Sequence, residues 1–191
     1  MKILKTLSVI LLSITIMQVN AQTGIPKGYA KGTIVLQDNS IVTGYIKDNL
    51  KKDASVSFIN ENNKKIKYSG NDISSVEIDG IKYAAIKGDF FKVICNGDLL
   101  FLQKASDASG TMTYNGTEAI YASGTPGKPG DYFIYTNKDQ QLQLLSSKTI
   151  EAVTGSVFAD YKPAIEKAKE VKGDIAQLSQ AVLIYNKRNG K

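Results

Sequence analysis

The sequence predicts a mainly β protein with α at its C-terminus, an α+β chain whose antiparallel hairpins form a small barrel or strongly bent sheet packed by two or three C-terminal helices. Three observations predict it. Apolar and polar residues alternate in short runs between residues 31 and 104, the period of a half-buried strand. Turn pairs such as Asp79-Gly80 and Asn96-Gly97 join consecutive runs, as tight hairpins require. After Leu145 the spacing of apolar residues lengthens to three and four, the repeat of a helix face. The expected divisions are a signal peptide at 1–21, a short linker at 22–30, an antiparallel β domain at 31–145 with a flexible loop at 105–130, and a helical segment at 146–191 packed on the sheet.

Lys2 and Lys5 precede an apolar stretch from Leu7 to Met17, and Val19-Asn20-Ala21 ends in a small residue before Gln22, the pattern of a secretory signal cleaved after Ala21. The apolar stretch is shorter than the roughly 20 residues that span a bilayer, so a retained anchor is the weaker expectation. No later segment reads as a membrane span, so the cleaved chain is expected not to be an integral membrane protein but to lie in the periplasm or cell envelope, or to be secreted.

Thr33 to Gln37 and Ile41 to Lys47 are rich in β-branched residues around Asp38-Asn39-Ser40 and predict a first hairpin. Gly44, inside the second run, predicts a bulge, a sharp bend or a close backbone approach. Val56 and Phe58, then Ile66 and Tyr68, alternate with polar neighbours around Asn60-Glu61-Asn62-Asn63. Ser69-Gly70-Asn71-Asp72 breaks the chain, with one helical turn expected, before strands over Ile73–Ile78, Ile81–Ile86, Phe90–Cys95 and Leu99–Lys104. Residues 105–130 turn abruptly to Gly, Ser and Thr with Pro126 and Pro129. A stretch of that length is expected to be a flexible excursion or, less favoured, a binding lid using Tyr114, Ile120 and Tyr121. Asp131–Thr136 and Gln140–Leu145 predict one more hairpin. Ser147 is expected to cap a short helix ended by Gly155, Asp160 to cap a second with Pro163 in its first turn, and Gly173-Asp174 to precede a third with Ile175, Leu178, Val182 and Tyr185 on its inner face.

Residue counts restrict the chemistry. The 191 residues contain no histidine, which excludes Ser-His-Asp and Cys-His catalysis and the commonest zinc ligand. Cys95 is the single cysteine, so no intrachain disulfide forms, and its apolar run predicts a buried small side chain rather than a nucleophile. Removing Lys2 and Lys5 with the leader leaves 22 basic against 18 acidic residues, a mild excess spread as solvated clusters. Arg188 is the sole arginine, which argues against a nucleic-acid groove built from interleaved Arg and aromatic residues. The glycine spacing at 105–130 fits neither a P-loop nor a dinucleotide fingerprint. Asp48, Asp53, Glu61, Asp72, Glu77, Asp79, Asp89 and Asp98 lie in or near turns, where acids serve conformation; a hydrolase would need two of them paired in a cleft. No DxDxDG-type run marks a calcium loop.

Two resemblances follow from these residues. TIVLQDNSIVTGYIKD, two short strands and NDISSVEI, over residues 33–78, resemble the small SH3-like or Sm-like barrels. This implies a shape and no activity, because the Sm-type RNA-binding loops and the Trp of SH3-type grooves are missing. The whole run from the GTIVL-turn-GYI segment through FFKVICNGDLLFLQK and GDYFIYTNKDQQLQLL to LSQAVLIYNKRNGK is similar to a family of exported, functionally uncharacterised proteins of Bacteroidota-type bacteria, whose members carry a Tyr-Asn near the end, here Tyr185-Asn186. The expectation is therefore an exported, non-enzymatic cell-envelope protein that binds a peptide, glycan or protein partner. No catalytic residue, cofactor or metal is assigned, and the binding residues and oligomeric state stay open. The alternatives are a structural or assembly accessory protein and, behind it, a carboxylate-dependent hydrolase.

Overall fold

A computed structural model describes residues 25–189 except 61, 111, 115–118, 122–123 and 172. The expected signal peptide and Glu61 lie outside the described residues, as do the side chains of Tyr114, Ile120 and Tyr121. The eight strands expected before residue 105 all form: β1 (Ala30–Leu36), β2 (Ile41–Asn49), β3 (Ser55–Ile59), β4 (Lys65–Ser69), β5 (Ile73–Ile78), β6 (Ile81–Ile86), β7 (Asp89–Cys95) and β8 (Leu99–Lys104). The excursion that follows carries its own two-stranded hairpin, β9 (Met112–Tyr114) with β10 (Ala119–Tyr121), before β11 (Tyr132–Thr136) and β12 (Gln141–Leu145).

Ten strands make one antiparallel sheet in the order β12-β11-β8-β7-β6-β5-β1-β2-β3-β4. Its edges, β4 and β12, do not pair with each other, so the sheet is not closed. Its first half is nevertheless bent, because the end of β4 returns to the β6–β7 turn through a backbone bridge between Gly70 and Gly88. A Cβ at Gly70 would lie 2.2 Å from the Gly88 carbonyl oxygen, so only glycine allows that approach. Gly44 has the same role one layer in. It pairs with Gly32 across β1 and β2, and a Cβ on it would lie 2.5 Å from the Ile59 carbonyl oxygen and 2.7 Å from the Phe58 ring. Close approach is therefore the reason for the glycine in this strand.

The bent half encloses one core, with Ile34, Ile46, Val56, Phe58, Ile73, Val76 and Phe90. A second core lies between the other half of the sheet and the helical end piece, where Leu99, Phe101, Ile134 and Leu145 meet Phe158, Leu178, Val182 and Tyr185. Burying each such side chain contributes about 1.5–3 kcal/mol. A bulge in β7 between Val93 and Cys95 keeps this face in register: Ile94 is 40 % exposed while Cys95 stays buried.

Four local expectations need correction. Leu50–Asp53 form a helical turn, α1, at the β2–β3 connection, where Asp48 accepts from the Leu50 amide at 2.8 Å. The turn expected to be helical, Ser69–Asp72, is instead closed by the Asp72 carboxylate, which accepts from the Ser69 amide and hydroxyl. Gly155 does not end a helix but sits inside α2 (Ile150–Val157), whose N-cap position is Thr149 rather than Ser147; the buried residues Ile150 and Val153 hold the helix on the sheet through its weak point. Tyr161, not Asp160, precedes α3 (Lys162–Glu170), with Pro163 in the first turn. Asp174 caps a 3-10 turn over Ile175–Leu178 by accepting from the Ala176 amide, and this turn leads into α4 (Ser179–Asn186). Among the described residues no helix is long and apolar enough to cross a membrane.

Candidate functional site

The most heavily built polar feature is buried. Asp89 and Lys104, on facing strands at the open end of the β7–β8 hairpin, both have side chains with no exposed surface, and Lys104 Nζ lies 3.2 Å from Asp89 Oδ2. Lys104 also donates to the carbonyl oxygens of Thr125 at 2.7 Å and Gly127 at 3.1 Å, so the buried ammonium is held by a carboxylate and two carbonyls. Asp89 Oδ1 accepts from the Ala108 amide at 2.6 Å and the Ser106 hydroxyl at 3.3 Å. Its Oδ2 accepts from the Thr125 amide at 2.7 Å and the Thr125 hydroxyl at 2.6 Å. One carboxylate thus grips both stems of the 105–130 excursion. This corrects the reading of Asp89 as an exposed turn acid. Its local neighbours suit a turn, but its donors come from 19 and 36 residues away, beyond the reach of sequence spacing. A charge pair this deep is held by its hydrogen bonds, and the arrangement is structural.

The other acids stay where turns place them. Asp53 bonds Ser55 and Lys67, and Asp38 accepts from the Ser40 amide. The displaced carboxyl groups all lie below the ordinary range. Ser40 hydrogen-bonding holds Asp38 down and Ser109 does the same at Asp107, while at Asp53 burial pushes up and is outweighed by Lys67 and Ser55. Cys95 is buried as expected, and burial pushes its thiol pKa up, away from nucleophilic reactivity. Among the described residues no cluster of three or more His, Cys, Asp or Glu could hold a metal ion.

The side chains best placed to meet a partner surround a cleft of about 470 Å³ between the end of the sheet and the helical end piece. The tail positions them. Asn186 reaches across to the β7–β8 turn, accepting from the Leu99 amide at 3.0 Å and donating to the Leu99 and Asn96 carbonyls at 2.9 and 3.4 Å. Gly97 is required beneath it, since a Cβ there would lie 2.4 Å from Asn186 Cγ. Tyr185 packs on Phe158 and Tyr161 at 5.4 and 6.2 Å. Arg188 lies over its ring, Cζ 3.6 Å from the centroid, donates to the Tyr185 carbonyl at 3.0 Å and pairs with Asp98 at 3.4 Å and Asp160 at 4.0 Å. Burial, then the Asp160 carboxylate, raise the Tyr185 phenol pKa, with Arg188 opposing. From the sheet side Asn137, Asp139, Gln141 and Gln143 complete the wall. Tyr185-Asn186, the pair that carried the second resemblance, is thus the fastening of tail to sheet. Replacing Asn186 by alanine strips the Leu99 amide and carbonyl of their partner, and is expected to cost about 2 kcal/mol in denaturant unfolding; an unchanged midpoint would contradict this role.

Two other hollows are less constructed. One lies over the Gly32–Gly44 pair, between Thr33, Thr43, Tyr45 and Glu77, and is open strand surface. The other, between Asp48, Tyr83, Lys92 and Gln103, holds a half-buried Tyr83 phenol whose pKa is raised by burial and by Asp48. In the sequence Asp98 belongs to the Asn96-Gly97 turn and Arg188 to the basic end of the chain; their meeting depends on the tail's return across the sheet, which no local pattern announces. Set against known proteins, the chain matches no family model, no curated protein and no solved structure.

Proposed function

We propose that this is an exported, non-enzymatic cell-envelope protein that works by binding, with the cleft between sheet and tail as its recognition site and the first five strands as a small SH3-like scaffold. The observation that carries the reading is the fixed guanidinium of Arg188, held by Tyr185, Asp98 and Asp160 at the mouth of a polar cleft. Groups already ordered before a partner arrives lose little freedom on binding. The leader pattern, the missing histidine and the strand order β5-β1-β2-β3-β4 support the rest. The test is capture from envelope extracts by the full mature chain, read by mass spectrometry. Exchanging Asp160 and Gln143 for alanine is expected to abolish the specific catch, while Thr43→Ala leaves it intact; a catch indifferent to the cleft exchanges would refute the assignment. A second reading, an assembly accessory, is favoured by the two free edges of the sheet, β4 and β12. Sedimentation of the purified chain separates the two, since assembly requires a stable homo-oligomer.

A further inference from the structure

Resting on the reading of the cleft as the recognition site, we infer that its ligand is an extended peptide with a basic–apolar–basic pattern, which adds as a strand to the free edge of β12. The two edges of the sheet are protected unequally. Lys64, Lys65 and Lys67 stand in or beside β4, the usual guard against unwanted strand addition. β12 reads Gln-Leu-Gln-Leu-Leu, without charge or proline, and pairs with β11 over five consecutive residues without a bulge. It is an edge without those guards, beside a cleft.

The direction of its backbone groups can be read from one hydrogen bond. The Thr149 hydroxyl donates to the Leu144 carbonyl at 2.8 Å, so that carbonyl takes a donor from outside the β11–β12 ladder. Residues two apart in an antiparallel strand present their backbone groups to the same side, so the amide and carbonyl of Leu142 face outward too, where no further strand pairs among the described residues. A peptide residue opposite Leu142 would exchange two hydrogen bonds with it. Its side chain would lie on the Leu142 side, where Leu142 packs with Leu100 and Tyr135 around Phe133, and an apolar residue fits there. The peptide residues before and after would point the other way, with Gln141 and Gln143, into the cleft. There Asp98, Asp139 and Asp160 outnumber Lys138 and Arg188, which makes the cleft acidic in a chain that is basic overall. Asp98 and Asp160 keep 47 % and 65 % of their side-chain surface exposed, so they can reach a lysine or arginine without leaving Arg188.

The test is an amide-detected NMR titration of the full mature chain with three capped pentapeptides: serine-lysine-valine-lysine-serine, the same peptide N-methylated at valine, and the version with both lysines replaced by glutamate. The first is expected to shift the amides of Gln141–Gln143. N-methylation, which removes the central donor, and the glutamate exchange are each expected to weaken binding at least tenfold, and Asp160→Asn to weaken the lysine peptide several-fold. Asp160 is exposed, so that variant keeps its fold. Binding that survives N-methylation overturns strand addition, equal binding of the glutamate peptide overturns the charge rule, and no shift with any peptide overturns the ligand class. The two readings fail separately: envelope capture that depends on the cleft while no peptide binds leaves the recognition site standing and removes only this inference.

Discussion

Lys104→Met is expected to lower the unfolding free energy by about 3–5 kcal/mol, the cost of leaving one member of a buried ion pair alone. The methionine fills most of the same space, so the loss is electrostatic rather than a cavity. Asp89 would keep its four donors but lose the cation 3.2 Å away, and the Thr125 and Gly127 carbonyls would lose theirs. Asp89→Asn should cost a similar amount by another route, because the amide nitrogen it introduces would face donors on whichever side it lay. Chemical denaturation measures the total. Amide exchange locates it, with the Ala108 and Thr125 amides expected to lose protection first. A loss below about 1 kcal/mol would place this pair with ordinary exposed ion pairs and contradict the account of the excursion's stems.

Gly44→Ala is the second large effect. A methyl group there would stand 2.5 Å from the Ile59 carbonyl oxygen and 2.7 Å from the Phe58 ring. Backbone on one side and a 3 %-exposed phenylalanine on the other leave no cheap movement. The expected cost is about 3 kcal/mol, the upper part of the overpacking range, with a lower denaturation midpoint. Gly155→Ala provides the opposite sign. Gly155 lies inside α2, and a Cβ added to it would meet nothing within 4 Å, so alanine should stabilise by about 0.5–1 kcal/mol. If the two exchanges gave equal results, glycine in this chain would be reporting backbone freedom rather than close approach.

These two sites also mark what the sequence could and could not convey. The strands were legible because each is set by neighbours: Val56 and Phe58 alternate with serines, and Asp79-Gly80 turns between β5 and β6 with both residues at positive φ. Gly44 was legible as an anomaly, though bulge, bend and close approach are equivalent until Ile59 and Phe58 are placed beside it. Asp89 was not legible. It follows Gly88 at a hairpin corner, where an acid is ordinary, and its burial is decided by Ser106, Ala108 and Thr125 folding back over it. The cleft was hidden for the same reason, since Asp98 meets Arg188 only after α2, α3 and α4 have been laid across the sheet. Helix positions were legible and their ends were not, because Ile150 and Val153, by packing on the sheet, outweigh the helix-breaking tendency of Gly155.

The grip of a single carboxylate on Ala108 and Thr125 has a practical corollary. It ties the two ends of the excursion to one carboxylate through bonds made at Ala108 and Thr125 themselves. A foreign epitope or reporter domain grafted between Gly110 and Gly124 would leave both anchor points in place. A cut made at the anchors themselves would expose Asp89 and Lys104 together, and the scaffold would be lost along with the cargo.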